Sequence, residues 1–272
     1  MTEGEIKKKR LFNIVGNETA PQKIDPWWWL VAIVVAMVIY LTFAYPDPYQ
    51  EMFIFFLDGV GVSIFVTLVS FILVLFIGLL GGLGRLSKNP FIHGITTIYV
   101  EIVRGIPLLV QLMFWYFAFP SVLQKVGVSM NIEAFQNYRA NPVGMAIMGI
   151  VFCYAAYMSE IYRAGIQSIP KGQMEAARSL GMSQFQAFRY IIMPQAIRVI
   201  MPPVGNEFIA LLKDSSLVSV VAVADLTRRG REYMAAHFNP IQTWLLVGLI
   251  YLVMTLIASR IVTWIEKKTK ME

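Results

Sequence analysis

Six apolar runs, at about 27–45, 53–84, 92–119, 143–168, 199–222 and 241–263, restrict this chain more than any other feature. Each is close to or above the roughly 20 residues that a helix needs to cross a bilayer core. The composition agrees. The chain is 57% hydrophobic and 15% charged, whereas a soluble domain of this size carries about 25% charged residues. An all-α polytopic membrane protein with about six transmembrane helices is therefore expected. Trp27, Trp28 and Trp29 open the first run and suit an interfacial aromatic belt. The second run is long enough to tilt or to include an interfacial turn. The stretch after Pro26 is too long and too far along the chain for a standard signal peptide, and no Ala-x-Ala site follows it.

The distribution of Lys and Arg orients the spans, because basic residues gather at cytoplasmic membrane edges. With the N-terminus inside, segments 1–26, 85–91, 163–198 and 260–272 hold sixteen basic residues, and the outer loops hold five. The remaining two, Arg104 and Lys213, fall in spans. Both termini are thus expected in the cytoplasm, although Arg228, Arg229 and Arg231 fall in an outer loop. The same rule accounts for the net charge of +6 without any nucleic-acid partner. Cys153 is the only cysteine, and neither His93 nor His237 lies near it in sequence. No disulfide and no metal cluster follow.

One stretch breaks the apolar pattern. "KGQMEAARSLGMS", Lys171 to Ser183, is polar and falls in the largest inner loop, between the fourth and fifth runs. Gln173 to Ala177 are good helix formers, Gly181 is a helix stop, and Ser183 can cap a second short helix. The loop is expected to be helix, glycine turn, helix. Pro194, Pro202 and Pro203 mark the entry to the fifth span. Ala176, Ala177 and Gly181 leave bare surface on which another protein can press, although an ordinary surface helix would look similar.

The order Glu175-Ala176-Ala177, then Gly181, then Ile191-x-Met193-Pro194 resembles the EAA loop of ABC-importer permeases, with Met193 where Leu is usual. Further stretches resemble the polar amino-acid uptake branch of that family: "TLVS" (67–70), "EIVRGIPLLVQL" (101–112), "EIYRAGIQSIPKGQMEAARSLG" (160–181) and "GNEFIALLKDSSLVS" (205–219). The resemblance covers roughly 55–265. It implies a type I ABC-importer (MetI-like) transmembrane domain. The implied organisation is an N-terminal tail plus an extra first helix over 1–52, a permease core over 53–265 with its coupling loop at about 169–198, and a tail over 266–272. The outer loop near 120–142 looks longer than is usual in the family. Coupling to the motor is implied for Glu175, Ala176, Ala177 and Gly181. The implied partners are a cytoplasmic ABC ATPase dimer, a second permease subunit (the same chain or a paralogue), and an extracytoplasmic amino-acid-binding protein. No Walker A pattern occurs in the sequence, so the chain is expected to hold no cofactor, with ATP and Mg bound by the partner. Gly78, Gly81, Gly82 and Gly84 lie within or at the end of a span and read as close helix packing rather than a phosphate loop.

Charges inside a bilayer are costly and are functional candidates. Glu101 with Arg104, and Glu160 with Arg163, are each three residues apart and can neutralise one another on one helix face. They read as structural or gating ion pairs. Glu207 and Asp214 are seven apart, which places them on one face, about 10 Å apart along the axis. They read either as lining for a water-accessible pathway or as a packing network with Lys213 or Arg104; the resemblance favours the pathway. Thr67, Ser70 and Gln111 are weaker pathway candidates that could equally make interhelical hydrogen bonds.

The reading that follows is the membrane-spanning subunit of an ATP-driven importer for polar amino acids in a bacterial inner membrane, containing no ATPase of its own. Acidic groups in the pathway favour basic substrates slightly. The alternative is an ion-coupled secondary transporter working alone, which leaves the EAA loop unexplained and lacks an apparent inverted repeat. A membrane scaffold is a third possibility, and the acidic face of the fifth run argues against it.

Overall fold

The computed structural model describes residues 26–271. The expected N-terminal tail, with its five basic residues, lies outside the described residues. Eleven helices suffice to follow the chain. They are α1 (Pro26–Ala44), α2 (Pro46–Arg85), α3 (Pro90–Gly105), α4 (Leu108–Met130), α5 (Glu133–Gln136), α6 (Pro142–Gln167), α7 (Lys171–Ser179), α8 (Gln184–Ala187), α9 (Met193–Asp214), α10 (Leu226–His237) and α11 (Pro240–Met271). A π-helical turn, Phe114–Ala118, interrupts α4; a second, Phe188–Ile192, joins α8 to α9. A 3₁₀ segment, Ser215–Val221, follows α9.

Helix starts are written locally in the sequence. Asn89 accepts a bond from the Phe91 amide at 2.9 Å, just ahead of Pro90 at the first position of α3. Asn141 does the same for Gly144 at 2.9 Å, just ahead of Pro142 in α6. Each side chain satisfies an amide that the helix start leaves orphaned, and Pro supplies a position that needs no N–H.

Among the described residues, four helices are long and apolar enough to cross a membrane: α1, α2, α6 and α11. The bent pair α3–α4 makes a fifth, with a 104° turn at the break. The sequence reading had one span there, at about 92–119. Pro107 explains the bend, because it has no N–H to give and it disfavours helical backbone at Ile106, where φ/ψ is −108°/129°. The expected fifth run corresponds to α9, which is not among these by composition and carries Arg198, Glu207, Lys213 and Asp214 in its 22 residues. Its regular helix also stops at Asp214 rather than reaching residue 222. Pro194 does stand at its start, but Pro202 and Pro203 lie within the helix. The expected boundary at 52/53 falls inside α2, whose backbone departs from helical values only at Asp47 (φ −98°, ψ 117°). The segment near 120–142 is a helical hairpin, with α4 running on to Met130, Asn131 in the left-handed region (φ 54°) and α5 folding back. Gly127 permits that return: a Cβ there would lie 2.5 Å from the Gln136 amide nitrogen.

The centre of the bundle is α2 packed along α6. The glycines of α2 make this possible, as the sequence implied. A Cβ on Gly78 would meet the Met158 side chain at 2.6 Å, and one on Gly82 would meet the Ser159 carbonyl oxygen at 3.0 Å. Val66, Val74, Leu112, Ile150, Met158, Ile200 and Leu211 form the buried core around this seam. A second cluster joins α1, α2, α10 and α11 through Val34, Met52, Phe56, Leu226, Leu246 and Ile250. Phe43, Phe76 and Leu80 stay exposed on the outside, an arrangement suited to lipid and unfavourable in water.

Candidate functional site: the polar face of α9, the ion-pair clasp and the polar loop

The polar face of α9 meets α6. The Tyr154 hydroxyl donates to the Asp214 carboxylate at 2.7 Å. Glu207, on the same face, is half-buried and has neither a hydrogen bond nor an ion pair within 4 Å among the described residues. Lys213 is exposed, and no ion pair joins it to Asp214. Arg104 lies over the Tyr157 ring, 5.2 Å from its centroid. The packing network through Lys213 or Arg104 therefore does not form by direct contact. Tyr154 serves instead, and the sequence reading missed it because tyrosine inside an apolar run looks like core.

The weaker pathway candidates sit in packed surroundings. Thr67 is buried and donates to the Ser63 carbonyl at 2.7 Å. Ser70 is fully buried, and its hydroxyl has no partner. Gln111 pins the α3–α4 bend: its amide nitrogen donates to the carbonyls of Val103 at 2.9 Å and Ile106 at 2.8 Å. Those carbonyls lose helical partners at the break, and an unsatisfied polar group in an apolar interior is costly. Thus Glu207 and Asp214 remain on an accessible face, whereas Thr67, Ser70 and Gln111 are held between helices.

Arg85, Glu101, Glu160 and Arg163 form one clasp in place of two local pairs, and Arg104 stays outside it. Arg163 pairs with Glu160, as the spacing implied. Glu101 pairs with Arg85 at 3.4 Å, and not with Arg104. Arg85 also holds Glu160 at 2.6 Å. One guanidinium at the end of α2 therefore ties α3 to α6. Sequence spacing could not reveal Arg85, whose partners lie 16 and 75 residues away.

The polar loop has the expected form. Helix α7 ends before Gly181, whose φ is +84°. Ser183 caps α8 in a reciprocal box with Gln186, the two bonds measuring 3.2 and 2.8 Å. Glu175 and Ala176 are exposed; Ala177 is buried. Glu175 is the fifth residue of α7, so it sits beyond the first turn, where the helix dipole acts most strongly. Leu180 is 83% exposed and Phe185 71% exposed.

At the opposite end of the bundle, the three arginines of α10 are engaged. Arg228 and Arg229 both bind Glu232, at 2.9 and 2.8 Å, and Arg229 also pairs with Asp58. Arg231 donates to the Ser219 carbonyl at 2.7 Å. Hydrogen bonding from Arg228, then Arg229, holds the Glu232 carboxyl below its ordinary value of 4.5.

Comparison with known proteins agrees with this architecture. Residues 74–271 match the family described as binding-protein-dependent transport system inner membrane component. The glutamine transport system permease protein GlnP of Escherichia coli (strain K12) is 35% identical over 214 residues, covering 79% of this chain and 92% of the relative. The arginine transport system permease protein ArtQ of Bacillus subtilis (strain 168) is 35% identical over 217 residues, covering 79% and 93%. A solved chain described as an amino acid ABC transporter with histidines superposes with a TM-score of 0.71 at 34% identity, over 83% of this chain and 98% of that one. With a family match over most of its length and an all-helical fold shared with an ABC transporter, this chain belongs to the binding-protein-dependent transport system inner membrane components, the permeases of ABC importers.

Proposed function

We propose that this chain is the membrane-spanning permease subunit of an ATP-driven importer for polar amino acids. A separate ATPase docks on α7 and the turn at Gly181. ATP and Mg bind on that partner, a second permease subunit completes the pathway, and an extracytoplasmic binding protein delivers the substrate. Both termini lie in the cytoplasm. Helix α1 and the preceding tail form an N-terminal addition to the permease core.

The observation that carries this reading is the surface of the polar loop. Leu180 and Phe185 stand exposed beside the open Glu175–Ala176 face of α7, outside the apolar spans. Large exposed apolar groups with a polar rim mark protein contacts. The names of the relatives, glutamine and arginine permeases, support an amino-acid cargo. On α9, Glu207 is free to meet an ammonium or guanidinium group, whereas Asp214 is already engaged by Tyr154.

The test is copurification. The wild-type chain should retain a soluble ATPase whose hydrolysis is stimulated by substrate-loaded binding protein. Glu175→Lys and Phe185→Asp should each lower that retention while insertion and thermal stability stay normal. Unchanged retention in both variants sinks the docking surface.

A further inference from the structure

We propose that the groove between the start of α9 and the end of α11 is a binding site for one anionic phospholipid. Two adjoining hollows build it. The first, about 550 Å³, is lined by Arg189, Arg198 and Lys268, with Trp264 at its side. The second, about 740 Å³, is an apolar trough running along α2, α9 and α11, with Phe71, Phe208 and Ile261 among its walls. Met193, Ile197 and Ile265 line both, so the basic mouth opens into the trough. Glu266 is the one charged group lining the trough.

The chemistry fits one class of molecule. Arg189, Arg198 and Lys268 are exposed, and no ion pair within 4 Å engages any of them among the described residues. Three cations around one hollow call for an anion. Lys268 lies over the Trp264 ring at 5.6 Å, an aromatic-and-basic pairing suited to headgroup level. The mouth stands where the apolar stretch of α11 gives way to Glu266, Lys267 and Lys268. A soluble phosphate would satisfy the mouth but not the trough, and a neutral lipid would satisfy the trough but not the mouth. A phospholipid with net negative charge satisfies both, its phosphate at the three cations and an acyl chain along the apolar walls.

The full-length chain, purified in mild detergent, provides the test. Dioleoyl phosphatidylglycerol should raise the unfolding temperature and remain bound in native mass spectrometry. Dioleoyl phosphatidylcholine and inorganic phosphate should do neither. Each basic contact to an anionic headgroup contributes roughly five-fold in affinity, so replacing all three should weaken retention about 100-fold. The variant is Arg189→Gln with Arg198→Gln and Lys268→Gln, and its unfolding temperature without lipid should match wild type. Lys88→Gln with Lys125→Gln and Arg139→Gln removes the same charge elsewhere and should keep the response. Three outcomes overturn the proposal: equal response to phosphatidylcholine, equal loss in both triple variants, or a dimer that binds no phosphatidylglycerol because a second copy fills the trough. None of these readouts depends on transport.

Discussion

Tyr154 on α6 and Asp214 at the end of α9 are joined by a 2.7 Å hydrogen bond from hydroxyl to carboxylate. The bond fixes the point where α9 gives way to the 3₁₀ segment. A hydrogen bond to a charged group is worth about 1.5–3 kcal/mol. Tyr154→Phe should therefore lower the thermal stability of the solubilised protein by an amount in that range. An unchanged unfolding midpoint would mean that solvent satisfies Asp214 equally well.

Glu207 has no such partner, and the expectation for it differs. Glu207→Gln keeps the shape and should leave stability within experimental error. If the face binds cargo, uptake should fall roughly 10- to 150-fold, the worth of one charge-assisted bond, and more for cationic amino acids than for neutral ones. Asp214→Asn should lose uptake and stability together. Normal uptake by Glu207→Gln removes that residue from the substrate site.

The glycines of α2 are expected to split by environment. Ala is a better helix former than Gly by about 0.8–1.0 kcal/mol, and nothing lies within 4 Å of a Cβ at Gly61. Gly61→Ala should stabilise the protein slightly. Gly78→Ala places its Cβ 2.6 Å from Met158, and overpacking costs typically 1–3 kcal/mol. Opposite shifts in the unfolding temperature are expected, and shifts of the same sign would contradict the packed seam.

Gly181 has open space around it but a φ of +84°, so substitution there acts through the backbone. A left-handed conformation costs an ordinary residue roughly 1–2 kcal/mol, and Asn tolerates it better. Gly181→Val should reshape the turn between α7 and α8 and release the ATPase. Gly181→Asn should retain most of it. Pull-down of the ATPase by both variants reports the ordering.

Acid should loosen the ion-pair cluster on α10. The Glu232 carboxyl is held below 4.5 in the folded protein. Its contribution is present above the unfolded value and disappears as pH falls through the lower folded value. Stability should therefore decline below about pH 4.5, with a gentler decline in Glu232→Gln. The side chains of Glu232, Arg228 and Arg229 are 37%, 36% and 26% exposed, so solvent screening keeps the effect small. Parallel acid limbs in the two proteins would discount this cluster.

The polar loop was legible because its signals are short-range. Gly181 and the Ser183–Gln186 box act within a few residues, and the structure has the helix, glycine turn and helix that they imply. The glycines of the second run were legible for a related reason, since four small residues in one apolar helix have few uses other than close approach. What escaped was long-range. Tyr154 and Arg85 became polar anchors only when the fold brought residues 60 and 75 positions away beside them. Gln111 was left open between pathway lining and a hydrogen bond between helices, because a glutamine in an apolar run announces polarity without saying what it serves. The break that it supports, at Ile106 and Pro107, was read as part of one span. Composition alone does not mark α9 as a span, because four charged residues lie among its 22.

The α2–α6 seam has a mechanical consequence. With glycine on one helix pressed to the wall of the other, neither can slide or roll without driving backbone into side chain, so the two behave as a single beam. The beam ends at Gln167, only four residues before α7 begins. A load placed on α7 reaches the beam through that short joint. Whatever bends in this permease bends at the ends of the beam, at residues 168–170 and at the Arg85 clasp, and not along its length.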